Sequence, residues 1–177
     1  MVKGNQLQAN WDVIDEKFTV HLKAHFSNLD LDGWLSHFAN GHSINIHQFE
    51  GDSQYIKNPK KYRLYYGSLP MSLLRFRIPL KLMASKLFSK LKNESYKKSE
   101  IYLLGIHLED DVNAFAYVKF DRYNNSNSIY YSAKALYKLI KLNSEWYITQ
   151  ISTYNNNEYS DKLVGFDKFW CPNKVNH

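Results

Sequence analysis

Cysteine is nearly absent: the 177-residue chain has one, Cys171. That excludes an internal disulfide framework and any cysteine-based zinc site. No stretch approaches the roughly 20 apolar residues that span a membrane as a helix. The opening MVKGNQLQANW lacks the apolar region of a secretory signal, so the expected location is cytoplasmic. There are four prolines and seven glycines, no internal repeat and no low-complexity linker. Phosphate loops, Gly-x-Gly-x-x-Gly, His-Glu-x-x-His and nucleophile elbows are all missing, and nothing marks a Ser-His-Asp triad. Acid is scarce in one segment. From Lys57 to Lys98 there are twelve basic residues and one acid, Glu94, a local excess of +11 within a chain whose net charge is +6. The remainder is therefore acidic, at −5, and a basic field confined to one segment acts on local partners rather than on nucleic acid at large.

What is present fits one domain over residues 1–177. Apolar residues are 44% and charged residues 23%, which excludes wholesale disorder and coiled coil. Trp11, Ile14, Phe18, Leu22 and His25 recur at spacings of 3 and 4, which predicts a helix from about Trp11 to Ser27. Asp30 is a good N-cap for a second helix that buries Leu31, Trp34, Leu35 and Phe38, with Asn40-Gly41 at its end. His42 to Phe49 reads as a strand, and Glu50 to Ser53 as a turn. The segment of about 53–98 reads as an insertion. Tyr62 to Tyr66 is ambiguous there, and Leu74 to Ile78 alternates until Pro79 stops it. Leu80, Met83, Ala84, Leu87, Phe88 and Leu91 then make the apolar stripe of a basic amphipathic helix.

Four strands follow, Glu100–Leu108, Val112–Tyr123, Ser128–Leu142 and Trp146–Tyr154, joined by short turns that imply an antiparallel meander. In the third of these, Ile129, Tyr131, Ala133, Ala135, Tyr137 and Leu139 share one face. Tyr130, Leu136 and Ile140 interrupt the other. The second face is too aromatic for plain solvent, so a partner surface is expected, most simply a second copy related by twofold symmetry. Residues of about 156–177 form a C-terminal extension.

With these elements placed, the chain resembles the nuclear transport factor 2-like superfamily, especially its SnoaL-like proteins. The residues that carry the resemblance are LDLDGWLSHFANGHSINIHQFEG, HLEDDVNAFAYVKF and YKLIKLNSEWYITQIS. The Trp-Leu-x-x-x-Phe-Ala stretch is also similar to the small subunits of ring-hydroxylating dioxygenases. The resemblance implies an α+β, cystatin-like cone: a curved antiparallel sheet wrapped around N-terminal helices, here with a basic helical insertion. It also implies a homodimer through the outer sheet face and a pocket at the open end. The lining expected is Phe18, Leu22, Trp34, Phe38, His42, Tyr117 and Tyr131. It does not imply one reaction, because the superfamily holds isomerases, dehydratases, cyclases and non-catalytic modules.

Three positions are candidates for acid–base chemistry. His25 interrupts an apolar stripe, either as a ring aimed into the pocket or as a core histidine bonded to a carbonyl. His21 lies one turn earlier, but no acidic third ligand stands beside the pair, and no metal is expected. His47 and Gln48 lie near the place where steroid-isomerase-like relatives carry a catalytic aspartate. Strand parity puts Gln48 inward with His42 and His47 outward, unless a bulge intervenes. His107 reads as facing the dimer side, on the strand face opposite Tyr102, Leu104, Ile106 and Leu108. Tyr117, Lys119 and Asp121 share a face, either to polarise a carbonyl or as polar interface groups.

Two functions from different classes remain open. One is a small-molecule pocket protein for an apolar or aromatic ligand, as a cofactor-free isomerase, dehydratase or cyclase or as a binder. The other is an interaction module whose insertion binds an anionic membrane or an acidic protein partner. A third use of the insertion helix, as a lid that closes the cone, supports the first. Nucleic acid is not expected, since no binding motif accompanies the charge.

Overall fold

The computed structural model describes residues 2–49, 59–67, 78–154, 161–162 and 164–172. The turn expected at Glu50–Ser53 and the alternating stretch from Leu74 to Arg77 lie outside them.

The chain opens with a helix that begins nine residues before Trp11. It comprises α1 (Val2–Glu16), a π-helical turn (Lys17–Leu22) and α2 (Lys23–Ser27). Its apolar residues explain the π turn. Ile14, Phe18, Leu22 and Phe26 are spaced by four, and each such step overshoots a 3.6-residue turn. A wider turn absorbs the excess and keeps one row facing the sheet. Ile14 and Phe18 are fully buried and Leu22 is nearly so, while Phe26 packs against the same core. This corrects the helical stripe: Phe26 takes the inward place expected of His25, whose side chain is 35% exposed at the edge.

The cap expected at Asp30 is formed, its carboxylate accepting the Gly33 amide at 3.0 Å. The helix it starts, α3 (Leu31–Leu35), is short. Phe38 has already left it and bridges to Ile148.

Among the described residues seven strands form one open sheet in the order β3-β2-β1-β7-β6-β5-β4. They are β1 (Ser43–Phe49), β2 (Lys60–Tyr65), β3 (Ile78–Pro79), β4 (Tyr96–Leu108), β5 (Asn113–Asn124), β6 (Ile129–Leu142) and β7 (Glu145–Tyr154). The meander β4 to β7 is antiparallel as expected. Two pairs are parallel, β1 with β7 and β2 with β3. The stretch that was ambiguous, Tyr62 to Tyr66, is largely β2, an antiparallel neighbour of β1.

Parity fails in β4. A register shift between Leu103 and Gly105 reverses the alternation. Ile101 and Leu103 face the core before it, Ile106 and Leu108 after it. Tyr102, expected inside, is 44% exposed.

The insertion helix α4 (Leu80–Asn93) follows Pro79 and buries Leu80, Ala84, Phe88 and Leu91. Its apolar stripe thus belongs to the core of this chain, while Lys81, Lys86, Lys90 and Lys92 stay exposed.

The C-terminal segment covers part of the outer sheet face. Trp170 and Ile106 exchange both backbone hydrogen bonds, at 2.7 and 2.9 Å, along the free edge of β4. Phe166 and Phe169 lie over Tyr117, with ring centroids 5.4 and 6.0 Å away. Asp161 accepts from the Tyr117 hydroxyl at 2.8 Å and from Lys134 at 2.7 Å. Over β4 and β5, then, the aromatic outer face has an intramolecular cover. Gly105 permits it, because a Cβ there would lie 2.8 Å from the Phe169 Cβ and 3.1 Å from the Phe166 ring. Gly105→Val is expected to cost about 1–3 kcal/mol by overpacking. Hydrogen exchange at Trp170 should accelerate in that variant, and unchanged exchange would contradict the docking.

Candidate functional site

Four of the expected pocket liners are core. Phe18 and Phe38 are essentially inaccessible, Leu22 is 2% exposed and Trp34 is buried. Phe18 meets Tyr137 edge-on at 4.8 Å between centroids, and Trp34 lies 4.5 Å from Phe38 and 5.8 Å from Phe88. The insertion helix thus fills, with Phe88 and Leu91, part of the space between helices and sheet. His42 is half-buried at the start of β1. Tyr131 is half-buried on the helix side of β6, 5.8 Å from Phe120. Tyr117 is corrected in place: it is fully buried, but on the outer face beneath Phe166 and Phe169.

A cleft opens instead beside the π turn. It holds about 280 Å³ and is walled by Glu16, Lys17 and His21 from the helix, His37 after α3, and Glu145 and Trp146 from the start of β7. Two constraints position His37. Its carbonyl accepts the Ile148 amide at 2.9 Å, which pins the segment to β7. Its Nε2 lies 3.0 Å from His25 Nδ1, one ring N–H donating to the other. His25 Nε2 in turn stands 4.0 Å from the Asp30 carboxylate. Gly33 makes room for this packing, since a Cβ there would collide with Asp30 and approach the His25 ring to 2.8 Å.

Both bases at the cleft are shifted toward neutrality. Burial pushes the Lys17 amine down to about 8, against the pull of Glu145. Burial pushes His37 down to about 3, helped by the positive charge of Lys17 and by His25 and His21. The Lys17 ammonium sits 5.3 Å from the Tyr147 ring centroid. His21 lies 3.4 Å from Glu16 and is more than half exposed. A lysine eased toward its uncharged form and an imidazole held neutral, beside one cleft, can accept a proton and hydrogen-bond a polar ligand without a metal. Among the described residues no three His, Cys, Asp or Glu side chains converge as a metal set.

The other acid–base candidates lie elsewhere. His47 pairs in register with Lys61 and Ser152, on the strand parity opposite to buried Ile44 and Ile46. Burial and Lys61 lower its pKa. Gln48 shares the parity of the two isoleucines and is half-buried. No hydrogen bond among those described joins His47 or Gln48 to the His25–His37 pair. His107 lies on the outer face between Phe115 and Phe169. Lys119 and Asp121 pair at 2.9 Å, and Ser132 donates to Asp121 at 2.6 Å.

His37, Lys17 and Trp146 escaped the sequence reading. His37 carries a local signal, a polar ring between the apolar pairs Trp34-Leu35 and Phe38-Ala39. Lys17 carries none: its burial depends on the π turn meeting the β6–β7 hairpin, residues more than a hundred positions away.

No protein-family model and no curated protein matches the sequence. Solved structures do. A cystatin-like domain of unknown function from Nostoc punctiforme is similar, with TM-score 0.56 at 12% identity over 92% of this chain and 88% of that one. A nuclear transport factor 2-like superfamily protein from Salmonella enterica has TM-score 0.53 at 11% identity over 87% and 93%. A nuclear transport factor 2-like protein of unknown function from Shewanella oneidensis has TM-score 0.52 at 10% identity over 75% and 89%. Likeness at such identities establishes architecture alone, and with the open curved sheet and N-terminal helices it shows that this chain has the nuclear transport factor 2-like, cystatin-like α+β fold.

Proposed function

We propose that the protein binds a small molecule at the Lys17–His37 cleft and moves a proton there without a cofactor, in the manner of SnoaL-like isomerases, dehydratases or cyclases. The observation that carries this reading is the convergence on one cleft of a half-buried lysine and a buried imidazole, the latter chained to a second imidazole. With a pKa of about 8, roughly a tenth of Lys17 is uncharged at pH 7, whereas an ordinary lysine is essentially all ammonium. Lys17 is then the base. His37, uncharged over the working range, hydrogen-bonds a polar group of the ligand, and His25 and Asp30 orient its ring.

The test uses a probe of proton abstraction, 5-nitrobenzisoxazole, because any well-placed base opens its ring. The rate above buffer is expected to rise with pH along a curve centred near 8. Lys17→Met is expected to lower it about 100-fold. A rate equal to buffer at matched pH, or one indifferent to Lys17→Met, overturns the assignment.

The expectation of a homodimer is kept as part of this proposal. Because residues of the C-terminal segment cover β4 and β5, a second copy would pair over β6, β7 and β1. Native mass spectrometry distinguishes a dimer from the monomer that would refute it. The membrane or acidic-partner alternative would have to act through the insertion's exposed basic groups, among them the lysines of α4 and Lys60, Lys61 and Arg63 of β2, since the apolar stripe of α4 faces the core. Among the described residues no helix is long and apolar enough to cross a membrane.

A further inference from the structure

The inward row of β5 runs Ala114, Ala116, Val118, Phe120 and then Arg122. The first three are almost wholly buried, and the row ends on a guanidinium instead of another apolar group. Its Cζ lies 4.8 Å from the Tyr131 ring centroid and 5.5 Å from those of Phe26 and Phe120. Arg122 therefore points to the helix side of the sheet, into an aromatic cup. Its Nε is buried and has no hydrogen-bond partner among the described residues.

Nearby acids are engaged elsewhere. Asp121 is held by Lys119 and Ser132, Glu100 by Lys23 and Lys98, and Glu94 pairs with Lys90. Among the described residues no carboxylate pairs with Arg122. The strand is also irregular at this point. A register shift follows Arg122, leaving Tyr130 without an opposite residue. Such a bulge re-aims side chains at sheet ends and sites. The β5–β6 turn that follows is at the opposite end of the meander from the β6–β7 turn, so this cup is separate from the Lys17 cleft.

A buried donor without a partner costs about 1–3 kcal/mol, and stacking on rings recovers only part of that. The arrangement is unfavourable for an empty core and favourable for a ligand. The guanidinium fork matches a carboxylate, and the surrounding rings match an apolar or aromatic body. Among the described residues Arg122 is the one cation set against these rings, and a single guanidinium suits one carboxylate better than a phosphate.

We infer that Arg122, with Phe26, Phe120 and Tyr131, forms a binding site for the carboxylate of a small aromatic or apolar organic acid. The inference stands independently of the Lys17 reading.

Benzoate is the probe and benzamide its uncharged match, each titrated calorimetrically into the full chain. Benzoate is expected to saturate in the millimolar range, with benzamide at least about tenfold weaker, and added salt should narrow the gap. Arg122→Met is expected to abolish the preference while melting no lower than the wild type. Arg122→Lys, which keeps the charge but loses the fork, is expected to weaken benzoate about tenfold. Equal binding of both probes, no saturation by benzoate, or full affinity in Arg122→Lys overturns the site. A large loss of stability in Arg122→Met would make the stacking structural and would overturn it too.

Discussion

Acidification from pH 7 to pH 4 is expected to remove about 3 kcal/mol of stability through one side chain, His37. The sign follows from its two pKa values. Folded His37 stays neutral down to about pH 3, whereas in the unfolded chain it titrates at its ordinary value of 6.5. Above 6.5 neither state binds the proton and stability is unaffected by this group. Below 6.5 the unfolded chain takes up a proton that the folded one refuses, at about 1.4 kcal/mol per pH unit until the folded value is reached. The charges facing the ring, Lys17, His25 and His21, all push in the same direction. Urea unfolding at several pH values measures the slope. His37→Gln, which is uncharged throughout, should flatten it by the amount stated, because the remaining carboxylates contribute alike to both proteins. Parallel curves for the two proteins would show that His37 takes up its proton as readily in the fold as in the unfolded chain, and would remove the desolvated imidazole from the proposed site.

Phe88→Ala is expected to cost about 3–5 kcal/mol, the usual range for deleting a buried phenyl ring. Phe88 is 4% exposed and its ring centroid stands 5.3 Å from that of Phe26 and 5.8 Å from that of Trp34. The residue belongs to a helix that the charge pattern alone would place at the surface. Denaturant unfolding checks the loss, and a cost below 1 kcal/mol would mean that α4 is a loosely held cover. The variant has a second expected property. Removing the ring leaves an apolar void beside Phe26 and Trp34, and benzene should recover part of the stability by binding the folded state alone.

The legible parts of this protein were those governed by local periodicity. The four long strands, their short turns and the apolar stripe of α4 repeat at periods of 2 or near 3.6, and those periods survive folding. The errors arose where backbone irregularity intervened. The π turn replaced His25 by Phe26 on the inward face, and the β4 register shift turned Tyr102 outward. The spacing by four of Ile14, Phe18, Leu22 and Phe26 is compatible with the π turn but does not select it over the stripe through His25, and the β4 shift is the response of a strand to the surfaces it packs against.

By itself the sequence determined the α+β order, the antiparallel meander, the Asp30 cap and the basic amphipathic helix, because each depends on residues within a few positions of one another. Only the tertiary structure decided which polar groups lose water. Lys17 is eased toward its uncharged form and His37 is held neutral because a helix, the segment after α3 and a distant hairpin converge on them. Tyr117, on the strand parity opposite to Ala116 and Val118, lies on the outer face, and it is buried there because the C-terminal segment docks over it. Arg122 becomes a site because three rings from different elements surround it. Desolvation is a property of surroundings assembled from far apart in the chain, and it is desolvation that turns ordinary side chains into chemistry.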